Sequence, residues 1–227
     1  MAVNVITGNI FTTKHQTLVN AVNCVGVMGA GIALEYRLRY PLMYEKYVKI
    51  CEEKKLDTGL LWIYQAGQKK ILNFPTKKHW RNPSRVEYIH AGMSKFVDTY
   101  KQREIESIAF PLLGADKGGL SSEQSLDIML YYLEQIDISV EIYLYDPKAH
   151  DDLLEQVKQW ASKMGPAQLK NMLGIRSTQA SSLLDALISP DVFQVNQLMH
   201  YPGIGEKTLE KLYAAFFQKP QQADSLF

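Results

Sequence analysis

The sequence predicts an α/β domain over residues 1–150, with helices on both faces of a mixed sheet, followed by a small all-α domain over residues 151–227. Three observations carry this. Short apolar runs alternate with longer helix-periodic ones as far as Asp146-Pro147, the pattern of strands interleaved with helices. No strand pattern follows, and Gln and Ser become common between short helical stretches. Within that tail the chain repeats itself at an offset of 29: Leu169 falls on Leu198, Gly174-Ile175 on Gly203-Ile204, Leu183 on Leu212, and Leu187 on Phe216. A fixed repeat marks a recurring structural unit, here a helix running into a Gly-Ile turn and out into a second amphipathic helix. Two stacked helical hairpins are expected.

In order, Asn4–Thr7 and Thr17–Val22 read as strands, the second apolar enough to be buried on both faces. Gly31–Arg39 and Pro41–Lys54 read as helices, Pro41 standing at the break or in the first turn of the second. Leu60–Tyr64 and Lys70–Phe74 are strands around a turn at Gly67. Asn82-Pro83-Ser84 opens the next helix, with Ser84 and Glu87 spaced as a capping box. Val86, Ile89, Met93, Phe96, Val97 and Tyr100 keep one face of it apolar. Ile105–Phe110 is a strand, Ser121–Gln135 a helix (Ser121 with Gln124 as a second capping box), and Ile138–Tyr145 a last strand.

Of the 227 residues, 46% are hydrophobic and 22% charged, which excludes wholesale disorder and collagen-like order. A net charge of +1 advertises no global field for nucleic acid or membrane, so such a partner must be read from a local patch. Two cysteines, Cys24 and Cys51, make neither a disulfide framework nor a four-cysteine zinc site, and a reducing cytoplasm is expected. From Gln16 to Leu34 there is no Asp, Glu, Lys or Arg, about the length of a membrane span. Asn20, Asn23 and three glycines within it suit a buried strand entering a glycine loop instead. The start, MAVNVITGNIF, lacks the basic and apolar regions of a secretion signal.

The chemistry concentrates in two glycine loops. Asn20-Ala-Val-Asn23 runs into Gly26-Val-Met-Gly29-Ala30-Gly31-Ile32-Ala33. Glycines between a buried strand and a helix let backbone amides approach an anion that the helix dipole also favours, and a diphosphate is the natural guest. The loop is neither a P-loop nor GxGxxG. A second, Pro111-Leu-Leu-Gly114-Ala115-Asp116-Lys117-Gly118-Gly119-Leu120, again links a strand to a capped helix. From parallel strand ends, two such loops flank one cleft.

NAVN…GVMGAGIA, NFPTKKHW and AFPLLGADKGGL together resemble the macrodomain family, in the branch of DarG-type DNA ADP-ribosylglycohydrolases related to terminal ADP-ribose protein glycohydrolase. The resemblance covers about residues 3–147. It implies a three-layer α/β/α domain binding ADP-ribose across the carboxyl ends of the strands, without a metal or other cofactor. It implies contacts from Asn9, Ile10, Asn20, Gly29, Ala30, Gly31, Ile32, Gly114, Ala115, Gly118, Gly119 and Leu120. The sequence departs from the family twice. Asn9 stands where an aspartate usually meets the adenine amino group, and Gly118 where the human-type relative has a catalytic aspartate. Asp116 is the nearest substitute.

The nucleophilic lysine of this branch falls on Lys77, in Thr76-Lys77-Lys78. Hydrolysing a glycosidic link at ribose C1″ calls for an attacker there, and a neutral amine can form a sugar adduct that water resolves. Burial beside Phe74 and Trp80, with Lys78 adjacent, would lower the Lys77 pKa. By residue type alone Lys77 and Lys78 read as a solvated basic pair after a strand; the catalytic role is what the resemblance implies. Asn23 is expected to position the distal ribose or base. Trp80 and Arg81, amid Lys77, Lys78 and His79, make a composition for holding a base and phosphate, though Trp80 could also simply pack on the domain edge. Cys24 reads as a small buried residue.

In the tail, Tyr201-Pro202-Gly203-Ile204-Gly205-Glu206-Lys207-Thr208 resembles a helix-hairpin-helix turn, which implies DNA backbone contact through Gly203, Gly205 and Lys207. The first copy has Arg176 at the second glycine position. From Asp151 onward eight acidic residues stand against seven basic ones, so a protein-binding role stays open. The expected activity is removal of ADP-ribose from a DNA base, thymidine foremost, by a cytoplasmic monomer. Its partners would be ADP-ribosylated DNA, single strands included, and a cognate ADP-ribosyltransferase toxin, with no membrane. The alternatives are hydrolysis of protein-linked or acetylated ADP-ribose, and a non-catalytic reader tethered to DNA.

Overall fold

A computed structural model describes residues 3–218, so the extreme ends of both predicted domains lie outside the described residues. The chain divides after Pro147 into two compact units. Near this division the Ala149 carbonyl accepts from Gln194 Nε2 at 3.3 Å.

The first unit holds strands β1 (Val3–Gly8), β2 (Thr17–Asn23), β3 (Trp62–Ala66), β4 (Lys69–Lys77), β5 (Ser107–Pro111) and β6 (Ser139–Tyr145). Its helices are α1 (Gly31–Arg39), α2 (Pro41–Glu52), α3 (Val86–Thr99) and α4 (Ser122–Leu133). The sheet order is β1-β6-β5-β2-β4-β3. Every neighbouring pair is parallel except the β3–β4 hairpin. Parallel strands need both faces covered, and the side chains of β2 and β4 divide accordingly. Val19, Leu72 and Phe74 join Ile89, Met93, Phe96 and Met129 under α3 and α4. Leu18, Val22 and Ile71 join Tyr36, Met43 and Tyr47 under α1 and α2. This is the mixed sheet flanked by helices that the alternating pattern predicts.

Parallelism also gathers chemistry. The carboxyl ends of β1, β2, β4 and β5 lie along one edge, so Asn9, the first glycine loop, Lys77 and the second glycine loop all emerge there. The connection from β2 leads one way, to β3 at the sheet edge, while that from β5 leads the other way, to β6. The two glycine loops therefore flank the point where strand order reverses, the crevice in which open α/β sheets take their ligands.

Three local expectations are corrected. Ser84 does not cap α3: the cap position is Arg85, with no side-chain capping bond. The Ser84 amide instead donates to the Gly118 carbonyl at 2.8 Å, a long-range contact that outweighs the local motif. Strand β3 begins two residues late because the Leu60 amide closes a turn onto Asp57 and the hairpin sets Ala66 opposite Lys69. Strand β5 also begins two residues late, since the Ile105 amide returns to the Tyr100 carbonyl. Ser121 does cap α4, its hydroxyl accepting from the Gln124 amide.

The second unit contains α5 (Leu154–Ser162), α6 (Gly165–Leu173), α7 (Ser177–Ile188) and α8 (Glu206–Gln218). Gly174 ends α6 in the left-handed region at φ 56°, and Gly203 holds the matching turn before α8 at φ 81°. The first arm of the second copy is a short 3-10 helix, Val195–His200, rather than an α-helix, confined between Pro190 and Pro202. The halves hold each other. Gln179 Nε2 donates to the Gly203 carbonyl at 3.0 Å, and Lys211 Nζ donates to the Gly174 carbonyl at 2.7 Å. No helix among the described residues is long and apolar enough to cross a membrane.

Candidate functional site

Lys77 is the last residue of β4 and lies opposite Asn23 of β2. The register slips there: Val22 pairs with Pro75 but Asn23 with Lys77, leaving Thr76 as the extra residue of a bulge. Bulges beside functional sites re-aim side chains, and this one accompanies the delivery of the Lys77 amine to the second glycine loop. Nζ donates to the Lys117 carbonyl. Partial burial holds the Lys77 pKa below the ordinary lysine value, against the opposing pull of the Asp116 carboxylate. The result is a cation predisposed to lose its proton. Asp116 itself sits at φ 47°, a left-handed conformation that costs a non-glycine residue on the order of 1 kcal/mol.

The second loop is shaped by its glycines. A Cβ on Gly118 would come within 2.7 Å of Ser84 Oγ, and one on Gly114 within 2.8 Å of Leu120 Cδ1. There is thus no room at Gly118 for the aspartate of the human-type relative. The amides of Gly118, Gly119 and Leu120 return to the carbonyls of Ala115, Asp116 and Gly114. These three amides are thus spent on the loop itself.

In the first loop, Gly29, Ala30 and Gly31 are exposed. The first bond of α1 is from the Leu34 amide to the Ala30 carbonyl, and no side chain caps the helix. Its leading amides are therefore left for an anion. A Cβ on Gly31 would sit 3.8 Å from Lys117 Cγ, so the two glycine loops lie side by side. The Cys24 amide donates to the Lys78 carbonyl at 3.2 Å, tying the first loop to the end of β4.

The asparagines differ from expectation. Asn20 has no exposed surface. Its Nδ2 donates to Asn73 Oδ1 at 3.0 Å on the buried α1/α2 face. Asn23 spends its amide on the loop: Oδ1 accepts from the Val25 amide at 3.0 Å and the Val27 amide at 3.3 Å, while Nδ2 donates to the Val27 carbonyl. Tyr47 adds a bond to the Asn23 carbonyl at 2.6 Å. Asn23 so fixes the loop from within. Asn9 Oδ1 accepts from the Phe11 amide at 3.0 Å, and its buried Nδ2 has no partner among the described residues. What Asn9 keeps in hand is a donor, the opposite of an aspartate. Ile10 beside it is buried.

Trp80 is 46% exposed, but its indole stacks with His79 at 5.6 Å and lies under the Arg81 guanidinium at 4.5 Å. Burial and Asp57 push the Cys24 thiol up to about 12, which leaves it protonated and no nucleophile. Gly203, Gly205 and Lys207 lie together at the start of α8, where Gly205 accepts from the Thr208 and Leu209 amides. The sequence reading missed Asn73, Tyr47, Ser84 and the Lys117 carbonyl. Only Asn73 carried a signal, as an amide inside an apolar strand.

Residues 19–129 match the Macro domain family model. The macrodomain of Mycobacterium tuberculosis DarG superposes with a TM-score of 0.61 at 39% identity, covering 63% of this chain and 97% of that one. The chain belongs to the macrodomain family. Among curated relatives of this macrodomain, a DNA ADP-ribosyl glycohydrolase of Thermus aquaticus is 40% identical over 152 residues, 64% of the chain and 42% of that protein. The chain thus spans less than half the length of that relative. The Thermosipho africanus DarTG structure, in complex with ADP-ribose, matches with a TM-score of 0.61 at 33% identity, over 63% of this chain and 41% of that one.

Proposed function

We propose that this macrodomain hydrolyses the bond between ADP-ribose and a DNA base, thymidine foremost, with Lys77 as nucleophile. The observation that carries the reading is the Lys77 amine, held at the rim of the two-loop cleft with its pKa lowered by burial. The names of the relatives support the substrate class. The diphosphate lies against the first loop and the start of α1, and the base of the ADP moiety lies toward Asn9. Neutral Nζ attacks C1″ of the distal ribose. The Nζ–C1″ bond forms as the bond from C1″ to the DNA base breaks, and the departing base keeps the electron pair and takes up a proton. Water then adds at C1″, the amine departs, and free ADP-ribose results. Asp116 stabilises the cationic forms of the amine along the way.

The deciding experiment offers thymidine-linked ADP-ribosylated single-stranded DNA beside a protein carrying Glu/Asp-linked ADP-ribose, with release scored by mass spectrometry. Release from DNA supports the reading, whereas release from protein alone replaces the substrate class. Tight ADP-ribose binding without release from either substrate leaves only a reader.

A pH profile follows from the Lys77 environment. Only the free amine attacks, so kcat/KM rises with pH until the lysine pKa is passed. Asp116 favours the ammonium, so Asp116→Asn is expected to move the inflection of log kcat/KM to lower pH. An unmoved or alkaline-shifted inflection would detach Asp116 from the amine.

For the helical unit, we infer contact with the DNA backbone through the turn at Gly203 and Gly205, with Lys207 beside it, and a toxin partner for the full protein. Deleting residues 151–227 is expected to raise KM on long modified DNA about tenfold, on the order of 1.4 kcal/mol, and to leave small ADP-ribose esters unaffected. Equal KM values for both forms on DNA would remove that role.

A further inference from the structure

Between β4 and α3 the chain runs through Lys78–Arg85 and encloses a cavity of about 280 Å³, lined by Lys78, Asn82, Pro83, Arg85 and Tyr88. This cavity is not the two-loop cleft, and it lies at the small end of ligand pockets. A whole ADP-ribose would not fit, whereas a single phosphate-sugar unit would. Its lining carries two cations, one side-chain amide and one aromatic ring. Arg85 stands 5.9 Å from the Tyr88 ring centroid and has no carboxylate partner among the described residues. Lys78 meets Asp57 at 3.3 Å with both side chains more than half exposed, the kind of surface pair that contributes little and yields to a better anion.

Position connects the cavity to the reacting amine. The segment leaves β4 at Lys77 and is pinned at its far end by the Ser84 amide on the Gly118 carbonyl. Within it, the Asn82 amide closes on the His79 carbonyl at 3.0 Å and the Arg81 amide on His79 Nδ1 at 3.2 Å. The cavity is therefore walled by a braced segment joining the Lys77 end of β4 to the second glycine loop. We infer that it is the subsite for the nucleotide flanking the modified base, with Arg85 and Lys78 on its phosphodiester and Tyr88 against its sugar or base. Two cations and an aromatic ring in one lining match the backbone-tracking, stacking chemistry by which single strands are held. The inference rests on the DNA reading above and adds how the strand is gripped.

The test compares ADP-ribosylated thymidine nucleoside, which has no flanking phosphate, with the same unit at the centre of an 11-nucleotide single strand. For the wild type, KM on the oligonucleotide should lie about tenfold or more below that on the nucleoside. Arg85→Ala and Arg85→Ala/Tyr88→Ala should raise the oligonucleotide KM toward the nucleoside value. The kcat and the nucleoside KM should stay unchanged, and the slope of log KM against log salt should fall by about one. Arg85→Lys should recover part of the preference. Unchanged oligonucleotide KM values overturn the subsite. So does an equal loss on both substrates, which would move Arg85 to the ADP-ribose cleft or to the fold. The same Arg85 dependence on an ADP-ribosylated acidic peptide would reassign the cavity to protein. A wild type that processes the nucleoside but gains nothing from flanking nucleotides overturns the subsite and spares the glycohydrolase reading. Release from neither substrate overturns both.

Discussion

Lys77→Ala is expected to cut ADP-ribose release from modified DNA by more than about a thousandfold, the scale of losing a group that acts only in the transition state. Affinity for free ADP-ribose should stay within about threefold of wild type, because the diphosphate is assigned to backbone amides of the first loop and not to this amine. Lys77→Arg sharpens the test. It keeps a cation near the Lys117 carbonyl, but a guanidinium does not give up its proton, so activity should not return. Calorimetric binding beside single-turnover release separates the cases. Turnover that survives in both variants would end the role of Lys77 as nucleophile. Parallel loss of binding and turnover would make it a binding residue.

The second large effect is expected far from the cleft surface. Gly92 lies in α3 against Phe74 of β4, and a Cβ there would fall 2.1 Å from Phe74 Cζ. Phe74 is fully buried, so neither helix nor strand can yield freely. Alanine in place of a helical glycine gains up to about 1 kcal/mol in propensity. Overpacking of a closed core costs about 1–3 kcal/mol and occasionally more, and an overlap this deep belongs at the top of that range. Gly92→Ala should therefore lose about 2 kcal/mol net, lowering Tm by roughly 4–8 °C. Gly92→Ala/Phe74→Leu should recover part of the loss, a non-additivity expected of residues in contact. A stabilised single variant would contradict this packing. Strand β4 ends in Lys77, so displaced packing here also reaches the strand end that carries its amine.

Periodicity and apolar runs made most of the fold legible. Helix α1 spans the residues its pattern predicts, and β2 and β6 fall within a residue of theirs. Errors arose where another backbone group won over the expected motif: distant Gly118 took the Ser84 amide, and a local turn onto Asp57 took that of Leu60. The site was legible as motifs but not as bonds. The sequence brings the two glycine loops and Lys77 to one edge because parallel strands end together. It does not distinguish polar side chains that face a ligand from those that brace the loops. Asn20 and Asn23 look alike in NAVN, yet one is sealed against Asn73 and the other stitches its own loop. Asn9 shows the same limit, since only the bond to the Phe11 amide reveals which end of its side chain is left over.

The sheet order carries a consequence for biosynthesis. Strand β1, which precedes the rest of this domain in the chain, has its place beside β6, with Val3 paired to Val140 and Gly8 to Tyr145. Closing so long a loop comes late in folding, and on a growing chain it cannot begin until nearly the whole domain has been translated. Until then the amino-terminal segment waits without its neighbour, a bare strand edge that could pair with other chains. The turn bearing Asn9 follows directly from β1, so that corner of the sheet's carboxyl edge is among the last parts of the domain to be set in place.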